Sequence, residues 1–310
     1  MRAPFATARF GDGNPLSAMA FETGFEQYVR RQVPLGPYTW FRLGGPAEYF
    51  AEPASLEQLQ AVVKRAKSEG LAVRLLGGGS NLLVGEAGVP GVVVHLSAPA
   101  FCETSLSGKK LRAGAGEKLG HVVSKAVAEG LAGLESLVGI PGTIGGALRA
   151  NAGSRSGDIG QWTAQATVMD DAGEIHTRSR EGLVFAYRES SLDELVILSA
   201  EFELESDDPV ELTKRMQKQW IVKKAKTPLG HQATGCIFKN PRGMSAGDLI
   251  EQAGLKGARV GGAEVSDRHA NFIVADEKAT SQDILRLIDH IRTRVQERLG
   301  VALETEIQVW

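Results

Sequence analysis

The chain has 310 residues, 43% of them hydrophobic and 23% charged, with a formal net charge of -2. These are ordinary values for a globular protein with more than one core, and the near-neutral balance supplies no electrostatic reason for a nucleic-acid or anionic-membrane partner. Two cysteines, Cys102 and Cys236, make neither a disulfide framework nor a zinc site of the usual kind, so the chain reads as cytoplasmic, and no run of about 18 apolar residues is present to span a bilayer.

In chain order, "MRAPFATARFGDGNPLSAMAF" interrupts every apolar stretch with Gly, Asp, Asn or Pro, and residues 1–22 read as a loose leader. "YTWFRLGGPAEYFAEP" predicts a turn and then a strand ending at Pro53. A helix follows in "SLEQLQAVVKRAKSEG": Ser55 and Gln58 make a capping box, Leu56, Leu59, Val62 and Val63 recur at helical spacing, and Gly70 stops it. The strand "LAVRLL" breaks into "GGGSN", which gives a β-α-β unit with a glycine-rich exit. "GVVVHL" is a further strand, a hairpin turns near Ser107, Gly108 and Lys109, and "KLRAGAG" leads into the helix "KLGHVVSKAVAEG". "GLESLVGIPGTIGGALRANAG" holds too many glycines for one regular element and predicts loop with short helical turns. "ATVMDDAGEIHTRS" and "VILSAEFELE" predict strands, the former folding back at Asp171, Ala172 and Gly173.

A boundary falls near Asp207, Asp208 and Pro209. Past it "DPVELTKRMQKQWIVKKAK" predicts a helix that ends before Pro228. "SQDILRLIDHIRTRVQERLG" predicts another, with Ile284, Leu287, Ile288, Ile291, Val295 and Leu299 on one face and Gly300 as its stop. The closing "VALETEIQVW" alternates as a strand.

The 37 glycines are clustered. Gly77, Gly78 and Gly79, with Ser80 and Asn81, directly follow a strand, where main-chain N–H groups converge on a phosphate without obstruction from Cβ. Three glycines alone read more often as a tight turn. The second cluster, Gly139 to Gly146 with Asn151 and Gly153, shifts the balance toward an extended ligand carrying a pyrophosphate. "GAGEKLG", Gly114 to Gly120, has the spacing G-x-G-x-x-x-G and no acidic residue about 20 residues on, so it reads as structural and the domain is not a Rossmann fold.

"TWFRLGGPAEY", "LLGGGSNLLV", "GIPGTIGGALRANAG", "YRES", "TGCIFKNP", "LIEQAGLKGARVGGAEVSDRHANFIV" and "LETEI" resemble, in the same order, the motifs of the UDP-N-acetylenolpyruvoylglucosamine reductase family, from about Tyr38 to the C-terminus. The resemblance implies an α+β protein. A two-lobed FAD-binding domain of the vanillyl-alcohol-oxidase (PCMH) type is expected over residues 23–207, with lobes about 23–97 and 98–207. A C-terminal α+β substrate-binding domain is expected over 208–310, its last strand carrying a catalytic glutamate. The short connection between "YRES" and "VILSAEF" resembles the family's second type, which lacks an inserted tyrosine-bearing loop.

The activity implied is UDP-N-acetylmuramate dehydrogenase. NADPH reduces non-covalently bound FAD, which in turn reduces UDP-N-acetylglucosamine enolpyruvate to UDP-N-acetylmuramate for peptidoglycan, and hence for cell wall, cell shape and division. The implied FAD contacts are Arg42, Gly44, Gly77, Gly78, Gly79, Ser80, Asn81, Gly139, Ile140, Pro141, Gly142, Thr143, Gly145, Gly146, Asn151 and Gly153. Tyr187, Lys226 and Asn240 match substrate contacts. A monomer is expected, with its nucleotide-sugar substrate and NADPH as partners and no nucleic acid, membrane or metal.

Hydride arriving at the enolpyruvyl methylene carbon leaves negative charge on the neighbouring carbon and its carboxylate, which calls for a cation and a proton donor. Arg188 matches the cation, since a guanidinium stays charged and forks onto a carboxylate; locally, a surface ion pair with Glu189 or Glu181 is the competing reading. Glu306 matches the family's catalytic glutamate, with Glu304 as neighbour on the same strand face. Cys236 stands where many members carry a serine proton donor. A thiol, with a reference pKa of about 8.5, releases a proton more readily than a hydroxyl does, although cysteine is also a common buried filler.

Lys223, Lys224 and Lys226 form a basic cluster that also reads as a solvated helix end, Arg149 is unassigned, and His269 is expected to hold the loop before "NFIVA". A flavin oxidase tethering its cofactor through His95, Cys102 or His121, and a non-catalytic binder, are the alternatives. None of those three residues lies in a glycine cluster, and Arg188 and Glu306 are both in place.

Overall fold

The computed structural model describes residues 20–154, 156–228 and 232–310, Lys226 without its side chain. The first lobe runs through β1 (Val29–Pro34), β2 (Pro46–Ala51), helix α1 (Leu56–Ser68), β3 (Val73–Leu76), the short β4 (Leu82–Leu83) and β5 (Val89–His95). Its sheet has the order β1-β2-β5-β3, with β1 antiparallel and the other three parallel. Val92, Val93 and Val94 of β5 are all buried, the unbroken apolar run that a central parallel strand requires. Helix α1 packs Leu59, Val62, Val63 and Ala66 on this sheet, each large apolar side chain contributing roughly 1.5–3 kcal/mol. Ser55 caps α1 through the Gln58 N–H, but the Gln58 carboxamide reaches back to Ala54 N–H, one residue earlier than a capping box predicts.

Residues 1–19 of the expected leader lie outside the described residues. Phe21, also within it, is buried in the first-lobe core, its ring 4.9 Å from Tyr49.

The second lobe is a five-stranded antiparallel sheet. Strands Ile175–Ser179, Thr163–Met169 and Val196–Glu203 lead to β7 (Lys110–Gly114) and β6 (Thr104–Ser107) at its far edge. Helix α2 (Leu119–Ala128) and the short α3 (Ile144–Arg149) cover it. Gly114 and Gly116 have the structural role the spacing predicts: a Cβ on either would lie 2.2 Å from the Phe101 carbonyl oxygen and 1.9 Å from that of Leu96.

Helix α4 (Pro209–Lys226) is capped by Asp208 and begins on Pro209. Its buried Leu212 packs with Val127 and Ala132, so this helix rests on the second lobe. Lys223 is not a solvated helix end: its ammonium donates to the carbonyls of Ser136 (3.0 Å) and Val138 (2.8 Å), and burial lowers its pKa to about 8.

The remaining core belongs to the four-stranded antiparallel sheet Gln232–Ala233, Ile273–Ala275, Ala263–Val265, Arg259–Val260, with α5 (Ala246–Gln252) and α6 (Ser281–Leu299) against it. Ile284, Leu287, Ile288, Ile291 and Val295 are buried as their spacing predicts, and Gly300 ends α6 at φ 70°. The closing segment departs from expectation. Only Gln308–Val309 is a strand, parallel to β4, while Thr305 makes a single bridge to Phe238. The segment changes partner midway, so no continuous ladder imposes a two-residue alternation on Glu304 and Glu306.

Candidate active site

Tyr187 and Arg188 form the turn between the short strands Phe185–Ala186 and Glu189–Ser190. Arg188 adopts φ 61°, a left-handed backbone that side-chain-bearing residues avoid. Four non-glycine residues share that region among the described residues, and besides Gln32 they are Arg42, Asn151 and Arg188, all of them site candidates from the sequence. Such conformations persist only where the surroundings enforce them.

At Arg188 the enforcing contacts come from the second glycine segment. Asn151 Nδ2 donates to the Ala186 carbonyl (2.8 Å), and its Oδ1 accepts from Gly160 N–H (3.0 Å), so each end of its carboxamide makes one bond within the protein. Arg149 also gains a role: its guanidinium donates to the carbonyls of Glu194 and Leu195, and its own carbonyl accepts from the Ser190 hydroxyl.

The Arg188 guanidinium donates from Nη1 to the Gly153 carbonyl (3.0 Å) and sits 5.3 Å over the Tyr187 ring. Its Nε lies 2.8 Å from Glu306 Oε1, yet the N–H is not aligned with that oxygen, so the contact is an ion pair without a well-formed hydrogen bond. Burial pushes the Glu306 carboxyl up, and Arg188 and Lys239 pull against it without cancelling the effect. Cys236 keeps part of its surface open but is crowded by protein on most sides. Burial first, then the Glu306 charge, pushes its thiol up to about 12, against the pull of Arg188. The three residues therefore share one electrostatic environment, in which Cys236 holds its proton and Glu306 is drawn toward the neutral form.

Glu304 is different. Its side chain is 70% exposed, against 17% for Glu306, and it pairs with Lys239 at 2.7 Å; Lys239 also reaches Glu189 at 3.1 Å. The Tyr187 hydroxyl accepts from Asn240 N–H (3.0 Å), and Asn240 Oδ1 accepts from Ala246 N–H at the start of α5. Tyr187, Arg188 and Asn240, with Asn151, Gly153, Ser154 and Asp158, line a cavity of about 330 Å³. Ser154 and Asp158 carry no motif signal in the sequence. Lys226 ends α4, and its side chain lies outside the described residues.

The two glycine clusters meet. A Cβ on Gly78 would lie 2.9 Å from Gly142 Cα, one on Gly77 2.8 Å from Thr143 Oγ1, and one on Gly142 3.1 Å from Ser80 Oγ. Thr143 caps α3 through Gly146 N–H, Gly145 packs on Ala115, and Ile140, one residue before Pro141, is partly buried on the second-lobe core. Arg42 lies exposed in the turn before Gly44, and Gly44 abuts Val84. Asn81 Oδ1 is buried without a donor, although Asn81 Nδ2 donates to the Glu306 carbonyl (3.0 Å). Backbone loops approaching this closely beside an unanswered buried acceptor fit FAD, which carries both phosphates and hydrogen-bond donors.

In the "RHANF" segment the sequence reading singles out His269, and its Nδ1 does hold the loop by accepting from Asn271 N–H (3.2 Å). The more central residue is Asn271, whose carboxamide pairs with both backbone groups of Phe238. Its partner lies 33 residues away in the chain, which leaves no local signal to find it by.

A family model described as "UDP-N-acetylenolpyruvoylglucosamine reductase, C-terminal domain" matches residues 227–310, and one described as "FAD binding domain" matches residues 47–179. The chain is 41% identical over 282 residues to the UDP-N-acetylenolpyruvoylglucosamine reductase of Rhodopirellula baltica, covering 91% of this chain and 92% of that protein. To the reductase of Moorella thermoacetica it is 40% identical over 298 residues, covering 95% and 98%. The crystal structure of the reductase (MurB) from Thermus caldophilus matches with a TM-score of 0.79 at 38% identity, over 91% of this chain and 100% of that one. The chain thus belongs to the UDP-N-acetylenolpyruvoylglucosamine reductase family of FAD-dependent oxidoreductases, whose α+β fold it shares.

Proposed function

We propose that this chain reduces UDP-N-acetylglucosamine enolpyruvate to UDP-N-acetylmuramate with NADPH as electron source, acting as a cytoplasmic monomer. The observation that carries the reading is the convergence of Arg188, Glu306 and Cys236 in one electrostatic environment beside the cavity. FAD, held by the two glycine loops, would supply the hydride, drawn from NADPH, for the enolpyruvyl methylene carbon. Arg188 is charged and held by Gly153 and Glu306, and it meets the carboxylate on which negative charge grows. Cys236 gives its proton to the adjacent carbon and recovers one from solvent. A thiol with a pKa of about 12 is fully protonated at neutral pH, yet is acidic enough to quench an enolate carbon. Protonation of Glu306 removes the smaller of the two causes that raise the Cys236 pKa and leaves burial, the larger, so the thiol stays protonated while its thiolate is spared a neighbouring negative charge.

Tyr187, Asn240 and Lys226 are assigned to the substrate, and residues 77–81, 139–146 and Gly153 with Arg42 and Gly44 to FAD. Asn151 is assigned to FAD as well, and it also steadies the Arg188 hairpin through the Ala186 carbonyl.

The test is anaerobic stopped-flow reoxidation of NADPH-reduced protein by the enolpyruvyl substrate, with Cys236→Ala and Cys236→Ser beside wild type. Rapid reoxidation of wild type, a loss of about 10²–10⁴-fold in Cys236→Ala and retained turnover in Cys236→Ser support the reading. Reduced wild type that ignores this substrate overturns it.

A further inference from the structure

Asn271 is 2% exposed and is not among the residues that line the cavity, yet the segment carrying Cys236 hangs from it. Its Oδ1 accepts from Phe238 N–H (2.9 Å), its Nδ2 donates to the Phe238 carbonyl (2.8 Å), and its main-chain carbonyl accepts from Ile237 N–H (2.9 Å). Three bonds from one residue to two consecutive residues imitate a neighbouring strand. On its other side the same segment receives the closing residues, since the Ile237 carbonyl accepts Glu306 N–H at 2.7 Å. Cys236 is thus one residue, and Glu306 one hydrogen bond, from a peptide that Asn271 holds. A Cβ on Gly247 would lie 3.0 Å from the His269 ring and 3.7 Å from Asn271 Cβ, so α5 presses the pair into place.

We propose that Asn271 is a positioning residue for the protonation step: its carboxamide fixes where the Cys236 thiol and the Glu306 carboxyl sit relative to each other. The proposal rests on the reading given under Proposed function and adds to it a residue to which the sequence reading gives no role. Both ends of the carboxamide are needed. An aspartate has nearly the same shape and keeps the acceptor for Phe238 N–H, but turns a carboxylate oxygen toward the Phe238 carbonyl and repels it. Only when that carboxyl is protonated can it donate as Nδ2 does.

The experiment compares wild type, Asn271→Asp, Cys236→Ala and the double variant, each loaded with FAD, in two separate half-reactions. Asn271→Asp is expected to leave flavin reduction by NADPH within about twofold and to slow reoxidation by the enolpyruvyl substrate about 10²-fold, the effect of misplacing a reacting group by about 1 Å. That loss shrinks toward low pH as the introduced carboxyl regains its proton. His269, Glu306 and Cys236 are the titratable groups on the elements packed around it, and Asn271→Ser, which adds no charge, is the control for their own titration. In the Cys236→Ala background the same substitution adds less than about threefold, because residues acting through one group are not additive. Equal slowing of both half-reactions, a pH-independent ratio, or losses that multiply in the double variant would overturn the proposal.

A second readout needs no turnover. In Cys102→Ser protein, iodoacetamide alkylation of Cys236 is expected to quicken at least about tenfold on Asn271→Asp, as the thiol leaves its crowded position; an unchanged rate overturns the proposal. If wild type itself is not reoxidised, the functional reading fails while this second readout still decides for or against Asn271. Should Asn271→Asp not fold, Asn271→Ser, smaller and with a single hydrogen-bonding group, goes through the same double-variant comparison and alkylation assay, with the same outcomes for and against.

Discussion

The Arg188 hairpin and the closing segment each contribute to two charge clusters that lie side by side. Arg188 with Glu306 forms the inner one, while Glu189, the next residue, meets Lys239 and Glu304 in the outer one. The charged groups are of the same kinds and the backbones are shared, but the inner side chains are mostly buried and the outer carboxylates are about two-thirds exposed. Burial alone separates their chemistry: it lifts the Glu306 pKa in spite of a guanidinium 2.8 Å away, whereas solvent screens the outer pairs. An ion pair in a structure is therefore neither catalytic nor stabilising by its presence; the water around it decides.

The strongest way to break this contrast is at Arg188. Arg188→Ala is expected to slow reoxidation by the enolpyruvyl substrate about 10²–10³-fold, the scale of losing one preorganised charge at a developing anion, with little change in flavin reduction by NADPH. Lys239→Met, in the outer cluster, is expected to change the same rate only a few-fold by comparison. Equal losses in stopped-flow traces of the two variants would erase the distinction between the clusters.

A smaller effect sharpens the comparison through pH. Because the folded protein holds the Glu306 proton more tightly than the unfolded chain does, Glu306 contributes stability that is fully present below about pH 4.5 and is lost as pH rises through its raised folded pKa. Thermal melts of wild type and Glu306→Gln should therefore diverge in favour of Gln across that window. Melts that run parallel there would mean that Arg188 fully offsets burial. The smallest effect belongs to Glu304→Gln and Glu189→Gln, each expected to change stability by no more than about 0.5 kcal/mol and by still less at high salt. Denaturant titrations at two ionic strengths check this.

Helices α1 and α6 were legible because burial of one face leaves a periodic imprint, and β5 because a strand buried on both faces is apolar without alternation. The glycine clusters gave themselves away by density, and the structure supplies what density could not, namely that Gly78 and Gly142 pack against each other. Three features stayed hidden for one physical reason. Packing of α4 on the second lobe, the split fates of Glu304 and Glu306, and the grip of Asn271 on Phe238 all depend on partners distant in the chain. Local pattern reports which face a side chain would take in a regular element, and the closing segment is not one.

The left-handed backbone at Arg188 carries a consequence for protein engineering. Glycine adopts φ 61° without strain, whereas a residue with a side chain there costs of order 1–3 kcal/mol. Against that gain Arg188→Gly gives up the ion pair to Glu306 and the hydrogen bond to Gly153, so the strain is held in place by the guanidinium's own contacts. Engineering of this turn therefore requires selecting on turnover at every round, because a screen for stability alone does not register what the guanidinium does for the reaction.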